Sequence, residues 1–464
     1  MFLRKRDLNS FPAPELSTRW GPFCIVILGC RLQLISFPLW RNLFAVTDHF
    51  STHPDRSRGS AARSGLSLLV GGLATCASQA VEPEDILHLK VGNLNIRPKF
   101  STALTANDNI FFRDGSAASQ ALYGAREGDV ISEWGTGFGA VLGRNPINTL
   151  GFGYNYLHRF YTDHTEVSSG DHAAQFGAAM EQGRFRFSTD HSLSLLTGIQ
   201  GGNTTVVEQN DRLVLSDAMR VSLDITPKSD LYLSGQYGMT DQEEGSQFND
   251  IESWSLAGGY GFQYSEKLRF FAQTSYGVQT SSRANRSWSW DFVGGSVGAE
   301  GDFTDKLTGT LQFGYQQRSS SLTGERGGAP TVTMELEQLL GRRTQISLSY
   351  TRVNQVNVDA VDSTSVSDQV RLSLSRALGN RQKWFASVFA SYWRNDFSAS
   401  GGSLSGRSDE ATSLGATLDY RIQEWMTSRL GYSFADFTSE IPSWARGGID
   451  YQVNQVSLSV NVGF

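Results

Sequence analysis

The chain has 464 residues, carries a formal net charge of -6 with 19% charged residues, and uses 48 glycines against 11 prolines. Residues 1–80 hold 9 Lys and Arg against 4 Asp and Glu, leaving 31 against 42 in the rest, so the bulk of the chain is acidic and lacks the basic balance that nucleic acid requires. A soluble chain this long would divide into two or three domains, yet no linker interrupts it after about residue 95, and no run of 18 apolar residues would cross a membrane as a helix.

The first elements form a leader. Residues 1–57 carry no periodic pattern, and the apolar run from Phe23 to Gly29 is cut short at Arg31. They read as a non-native or unstructured extension from an upstream translation start, the alternative being a long leader with a functional start. Residues 58–80 read as a secretory signal peptide: Arg58 and Arg63 give the positive start, Leu66 to Ala74 the apolar core, and Ser78-Gln79-Ala80 the small cleavage residues. A periplasmic segment, 81–95, would follow. The three cysteines, Cys24, Cys30 and Cys76, all precede the cleavage point. The mature chain then has no thiol for a disulfide, a zinc site or a nucleophile.

From Ile96 onward, segments of about 10–15 residues alternate apolar and polar with period two, as strands do when their faces meet different media. In 148–161, Leu150, Phe152, Tyr154, Tyr156 and Phe160 oppose Gly151, Gly153, Asn155 and Arg159. Further on, Leu268, Phe270, Ala272 and Tyr276 oppose Arg269, Gln273 and Ser275, and Val370, Leu372 and Leu374 oppose Gln369, Arg371 and Ser373. About eighteen such segments run from 96–106 to 450–464. Short turns near Asn145-Pro146, Gly183, Pro227-Lys228 and Gln423-Glu424 alternate without exception with longer polar loops, such as 107–128, 281–286 and 438–449. This is the asymmetry of short periplasmic turns and longer extracellular loops. The expected fold is all-β: a single transmembrane antiparallel β-barrel over 96–464 in a bacterial outer membrane. Trp288, Trp290 and Phe292 share one strand face, and a bulge near Gly294-Gly295 would explain the loss of phase beyond them. Trp384, Tyr392, Tyr420, Trp425 and Tyr432 are candidates for interfacial aromatic girdles.

The last strand places Val456, Leu458, Val460, Val462 and the terminal Phe464 on one face. Such an ending resembles the signal by which the bacterial barrel-assembly machinery recognises its substrates, making that machinery and outer-membrane lipid the expected partners.

The strand Ile96 to Ala106, the motif Asp108-Asn109-Ile110-Phe111 and the acidic-aliphatic start Asp129-Val130-Ile131 resemble the opening of the β-barrel porin family often found with exopolysaccharide secretion systems. The likeness in strand layout covers most of 96–464. It implies an outer-membrane barrel and, for some members, passage of a secreted polysaccharide, with periplasmic export proteins as further partners. It supplies no catalytic residue.

No nucleotide loop, metal-ligand cluster or nucleophile–base set stands out, so neither an enzyme nor a cofactor is expected. Eighteen strands enclose a lumen wide enough for water. Alternation puts Arg159, Arg269, Gln273, Gln316, Glu335, Glu337, Arg371, Arg421 and Arg429 on its wall. They either solvate the lumen and pair across it or set ion selectivity. Inward aromatics such as Tyr232, Phe271 and Phe389 would offer stacking faces to sugars. The leading functional expectation is a conduit for exported exopolysaccharide. The alternatives are a general small-solute porin or a structural barrel plugged by its own loop 107–128.

Overall fold

The computed structural model describes residues 87–464 except 114–123, 146, 201–207, 244–245, 247, 284–285, 325, 357–362, 380, 400–405, 441–449 and 464. The expected extension, the expected signal peptide and Phe464 therefore lie outside the described residues.

Eighteen long strands make the fold. The first six are β1 (Leu94–Asn107), β2 (Asp129–Asn145), β3 (Asn148–Tyr161), β4 (Ser169–Gln182), β5 (Phe185–Leu196) and β6 (Arg212–Thr226). Then come β7 (Ser229–Gln242), β8 (Asp250–Gln263), β9 (Leu268–Arg283), β10 (Arg286–Asp302), β11 (Leu307–Ser320) and β12 (Arg326–Leu339). The last are β13 (Thr344–Val356), β14 (Ser363–Leu378), β15 (Trp384–Ala399), β16 (Ser408–Gln423), β17 (Met426–Glu440) and β18 (Tyr451–Val462). Each pairs antiparallel with its neighbours in sequence, and β1 closes the ring. Leu94–Lys99 lie against β2 and Phe100–Asn107 against β18, running from Val462 back to Gln455. Closure joins the first strand to the last, so the sheet does not present two open edges to lipid. Before β1, Leu89–Val91 folds back onto Leu94–Ile96.

The apolar surface is on the outside. At the seam, Leu104, Leu458 and Leu430 stand in one row across β1, β18 and β17, each about half exposed. Val456 pairs with Ala106 and Tyr432, Val460 with Thr102 and Ser428, and Val462 with Phe100 and Met426. The outward Trp384 and Tyr420 rings are 4.4 Å apart near the end carrying the short turns, while Tyr392 and Tyr432 are also exposed.

Two sequence expectations are corrected. The alternation of long and short connections fails between β9 and β10, where only Ala284 and Asn285 intervene. Ser281, Ser282 and Arg283 look like loop residues, but they pair with Trp288, Ser287 and Arg286. Ladder hydrogen bonds belong to the backbone and need no apolar side chains. The predicted bulge at Gly294-Gly295 is absent too, since the β9–β10 register runs unbroken from Leu268–Gly301 to Arg283–Arg286. Trp288, Trp290 and Phe292 keep to the inward face, and Val293 and Val297 are exposed on the outer one. The phase blurred in the sequence because glycines occupy inward positions at Gly294 and Gly298.

Candidate functional site

The inward face carries the predicted wall residues in two different states. Three arginines are held by acids. Arg159 meets Glu133 at 3.2 Å and Asp171 at 2.5 Å; Arg269 meets Asp230 at 2.8 Å and Glu300 at 2.5 Å; Arg429 meets Asp419 at 2.5 Å. Glu133, Asp171, Glu300 and Asp419 come from adjacent strands, and Asp230 of β7 is reached across Gly261 of β8, so the pairs tie the wall together. By contrast, Glu335, Glu337, Arg371 and Arg421 form no ion pair among the described residues. Glu335, Arg371 and Arg421 are exposed, and Glu335, Ser349 and Arg371 stand in one row across β12, β13 and β14. Unpaired charge on an inward face needs water beside it. Gln273 accepts a hydrogen bond from the Tyr232 hydroxyl at 3.0 Å, and Gln316 accepts one from Arg318 Nε at 3.2 Å.

A second arrangement was not visible in the sequence. The inward aromatics lie flat across glycines directly opposite them: Tyr232 on Gly259, Phe271 on Gly298, Phe292 on Gly277 and Phe389 on Gly415. A Cβ at Gly415 would come within 2.3 Å of the Phe389 ring, and one at Gly259 within 2.2 Å of Tyr232. Guanidinium groups cover three of these rings, with Arg220 at 4.0 Å from Tyr232, Arg371 at 4.2 Å from Phe389 and Arg318 at 5.6 Å from Phe292. Arg421 takes the ring of Phe385 at 5.1 Å. The expectation that Tyr232 and Phe389 offer open stacking faces to sugars is thereby corrected. An arginine bound to a ring by cation–π attraction already takes each face.

The outer mouth collects the motif residues. Asp108 follows the last residue of β1, and its carboxylate accepts from the backbone N–H and side-chain amide of Asn454 at 2.7 and 2.8 Å, and from Arg126 at 2.6 Å. Asn109 is fully buried. Its amide donates to the carbonyls of Arg113 at 2.8 Å and Gln452 at 2.9 Å. Ile110 packs with Ile131, Tyr161 and Val167, and Phe112 joins Phe437, Tyr451, Val453 and Trp393. Ile131, Tyr161, Phe437 and Tyr451 all face inward, so residues 108–113 are tucked inside the barrel mouth.

The third motif residue group holds the next loop. Asp129 has no exposed side-chain surface and accepts N–H bonds from Thr162 at 3.0 Å, Asp163 at 3.1 Å and His164 at 3.0 Å. His164 then bridges two carboxylates, Asp129 at 3.1 Å through Nδ1 and Glu127 at 2.8 Å through Nε2. Its ring meets Phe111 edge-on at 5.2 Å, and Glu127 also pairs with Arg113 at 2.6 Å. The two pieces of the sequence resemblance, about twenty residues apart, thus converge on one joint. On the same rim, at the start of β16, a buried pair, Arg407–Asp409, was missed by sequence reading. The Ser439 hydroxyl donates to Asp409 at 2.6 Å, and Arg407 lies 4.3 Å above Phe397. Its signal in the sequence was two charged residues either side of a junction between loop and strand.

A closed barrel of eighteen antiparallel strands, apolar outside and charged inside, is an outer-membrane β-barrel. No family model matches the chain, and no curated protein matches it. Similar solved structures include OpdL of Pseudomonas aeruginosa, at 9% identity over 81% of this chain and 99% of that one, with a TM-score of 0.41. OccAB3 of Acinetobacter baumannii is similar at 12% identity over 80% and 99%, with a TM-score of 0.41, and the outer membrane protein OpdK of P. aeruginosa at 12% over 79% and 99%, with a TM-score of 0.39. None of these comparisons supports an association with exopolysaccharide. The outer-membrane location rests on the barrel itself.

Proposed function

We propose that the protein is a passive outer-membrane channel for small hydrophilic solutes. The observation that carries this reading is the water-accessible charge on the inward face that forms no ion pair among the described residues, Glu335, Arg371 and Arg421, within a barrel of a strand number that leaves a lumen. Charges left unpaired on a wall favour a water-filled path over a packed interior. No observation favours export of a polysaccharide. The tucked segment 108–113 narrows the outer mouth, and a polymer would have to thread past it.

Reconstitution of the purified full chain in planar bilayers tests the proposal. Stepwise ion conductance is expected, together with swelling of liposomes in isotonic solutions of small uncharged solutes but not of a polymer such as dextran. A folded, heat-modifiable protein that shows neither conductance nor swelling would return the plugged structural barrel to first place.

A further inference from the structure

Beneath the tucked segment lies a half-enclosed chamber of about 250 Å³. Its polar side is built from Glu133 and Arg159 on β2 and β3, Tyr161 at the end of β3, and Gln455 on β18. Ile110 and Phe112, dropped in from the loop, form with Ile131 its apolar side. Neither side was assembled by any sequence signal, because the walls come from strands at both ends of the chain. The volume equals that of about eight liquid waters at roughly 30 Å³ each. It lies below the range of about 300–1,000 Å³ that encloses a drug-sized ligand. One small ring fits; two do not.

The electrostatics narrow the choice further. Arg159 is already shared by Glu133 and Asp171, and Arg212 acts on the same Asp171, so two acids meet two cations and the chamber offers no net attraction to an anion. Hydrogen-bonding capacity is nevertheless left over. Among the described residues no bond uses Arg159 Nη2, the Tyr161 hydroxyl or the second carboxylate oxygen of Glu133. Two of these donate and one accepts, a combination that answers groups able to do both. Hydroxyls are such groups, whereas a carboxylate can only accept and would sit against Glu133. The apolar side suits the C–H face of a saturated ring.

The geometry points to this chamber as a binding site for one uncharged, polyhydroxylated ring of monosaccharide size. The assignment rests on the reading of the chain as a small-solute channel and names the solute class. Residues 108–113 act in it as a roof, held by Asn109 and Asp108 against β18.

The test uses the full-length protein in planar bilayers with D-glucose as probe, D-glucuronate as the same ring with a charge, and glycine as a small zwitterion. Glucose is expected to reduce the ion current saturably, with glucuronate and glycine at least tenfold weaker. Tyr161→Phe, which removes one hydroxyl at almost constant volume, and Glu133→Gln are each expected to raise the half-saturating glucose concentration about tenfold. The lipid-facing change Phe270→Leu should leave it at the parent value. Heat-modifiable migration identifies variants that fold, and Tyr161→Phe serves if Glu133→Gln does not. Current flow with no saturable glucose effect, or with glucuronate or glycine bound more tightly, overturns the site and leaves the channel standing. Absence of current sinks the channel reading instead. Equilibrium dialysis of labelled glucose against the detergent-solubilised protein then decides the site alone: binding weakened by Tyr161→Phe upholds it, and no binding overturns it.

Discussion

Phe389 shows what a single position in the wall has to satisfy. Its ring lies over Gly415 on one neighbouring strand, while Arg371 of the other neighbour lies 4.2 Å from its centroid. Any side chain at Gly415 must enter the ring, since even a Cβ would stand 2.3 Å from it. Gly415→Val is therefore expected to destabilise the barrel by about 1–3 kcal/mol, the usual cost of overpacking, read as an earlier unfolding transition on heating in detergent. An unchanged transition would show that the ring moves freely and that the stack is not structural. Arg371 and Arg269 separate the two kinds of inward arginine. Arg371→Gln removes an exposed charge that no acid balances and is expected to shift the reversal potential under a salt gradient toward cations. Arg269→Gln leaves Asp230 and Glu300 without their shared cation, so its main expected effect is loss of stability. If both variants move the reversal potential equally and neither loses stability, the distinction is wrong.

At the scale of elements, the joint between the first two outer loops has a definite pH response. Hydrogen bonding to Glu127, and then to Asp129, holds the His164 imidazolium against deprotonation and raises its pKa above the ordinary value of 6.5, burial opposing this. Burial pushes the Asp129 carboxyl up, but the backbone N–H groups of Asp163 and His164 outweigh it, and its pKa falls below the usual carboxylate value; the hydrogen bond from His164 does the same for Glu127. A raised histidine contributes fully below its unfolded pKa of about 6.5 and loses that contribution as pH climbs through its higher folded value. The lowered acids contribute above about 4 and fail only as pH falls through their depressed values. The joint is accordingly firmest in mildly acidic solution and loosens toward alkaline pH. Hydrogen exchange at the amides of Thr162, Asp163 and His164, corrected for intrinsic rates, is expected to lose protection across that rise. His164→Gln should abolish the step. Protection that stays flat with pH in the parent protein would remove His164 from this role.

For the whole molecule the decisive contact is the seam between β1 and β18. It joins the first barrel strand to the last, so no barrel exists until the last strand has been placed. The row Leu104, Leu458 and Leu430 faces lipid there, and Leu458→Arg would put a charge on that face at a cost of about 2–4 kcal/mol near the bilayer midplane. Failure of membrane insertion, seen as loss of the heat-modifiable form, is the expected result. Normal insertion would mean that the seam is shielded from lipid by something other than the chain's own strands.

The sequence alone determined the strand count and the period-two faces, with Leu458 on the outward one. Alternation is a property of one strand, imposed by the pleat and by two different media, and needs no knowledge of neighbours. The motif Asp108-Asn109-Ile110-Phe111 was also legible as unusual, though not what it does. Only the tertiary structure decided which wall charges are neutralised. Arg159 and Arg371 look alike in their strands, yet one meets Glu133 and Asp171 and the other meets only a ring. The same holds for the pairing of Phe389 with Gly415 and for the chamber, which brings Glu133 and Arg159 beside Gln455. Those contacts depend on register between strands and on closure of the ring. Both are fixed by backbone hydrogen bonds common to all residues, which leave no mark on the order of side chains along any one strand.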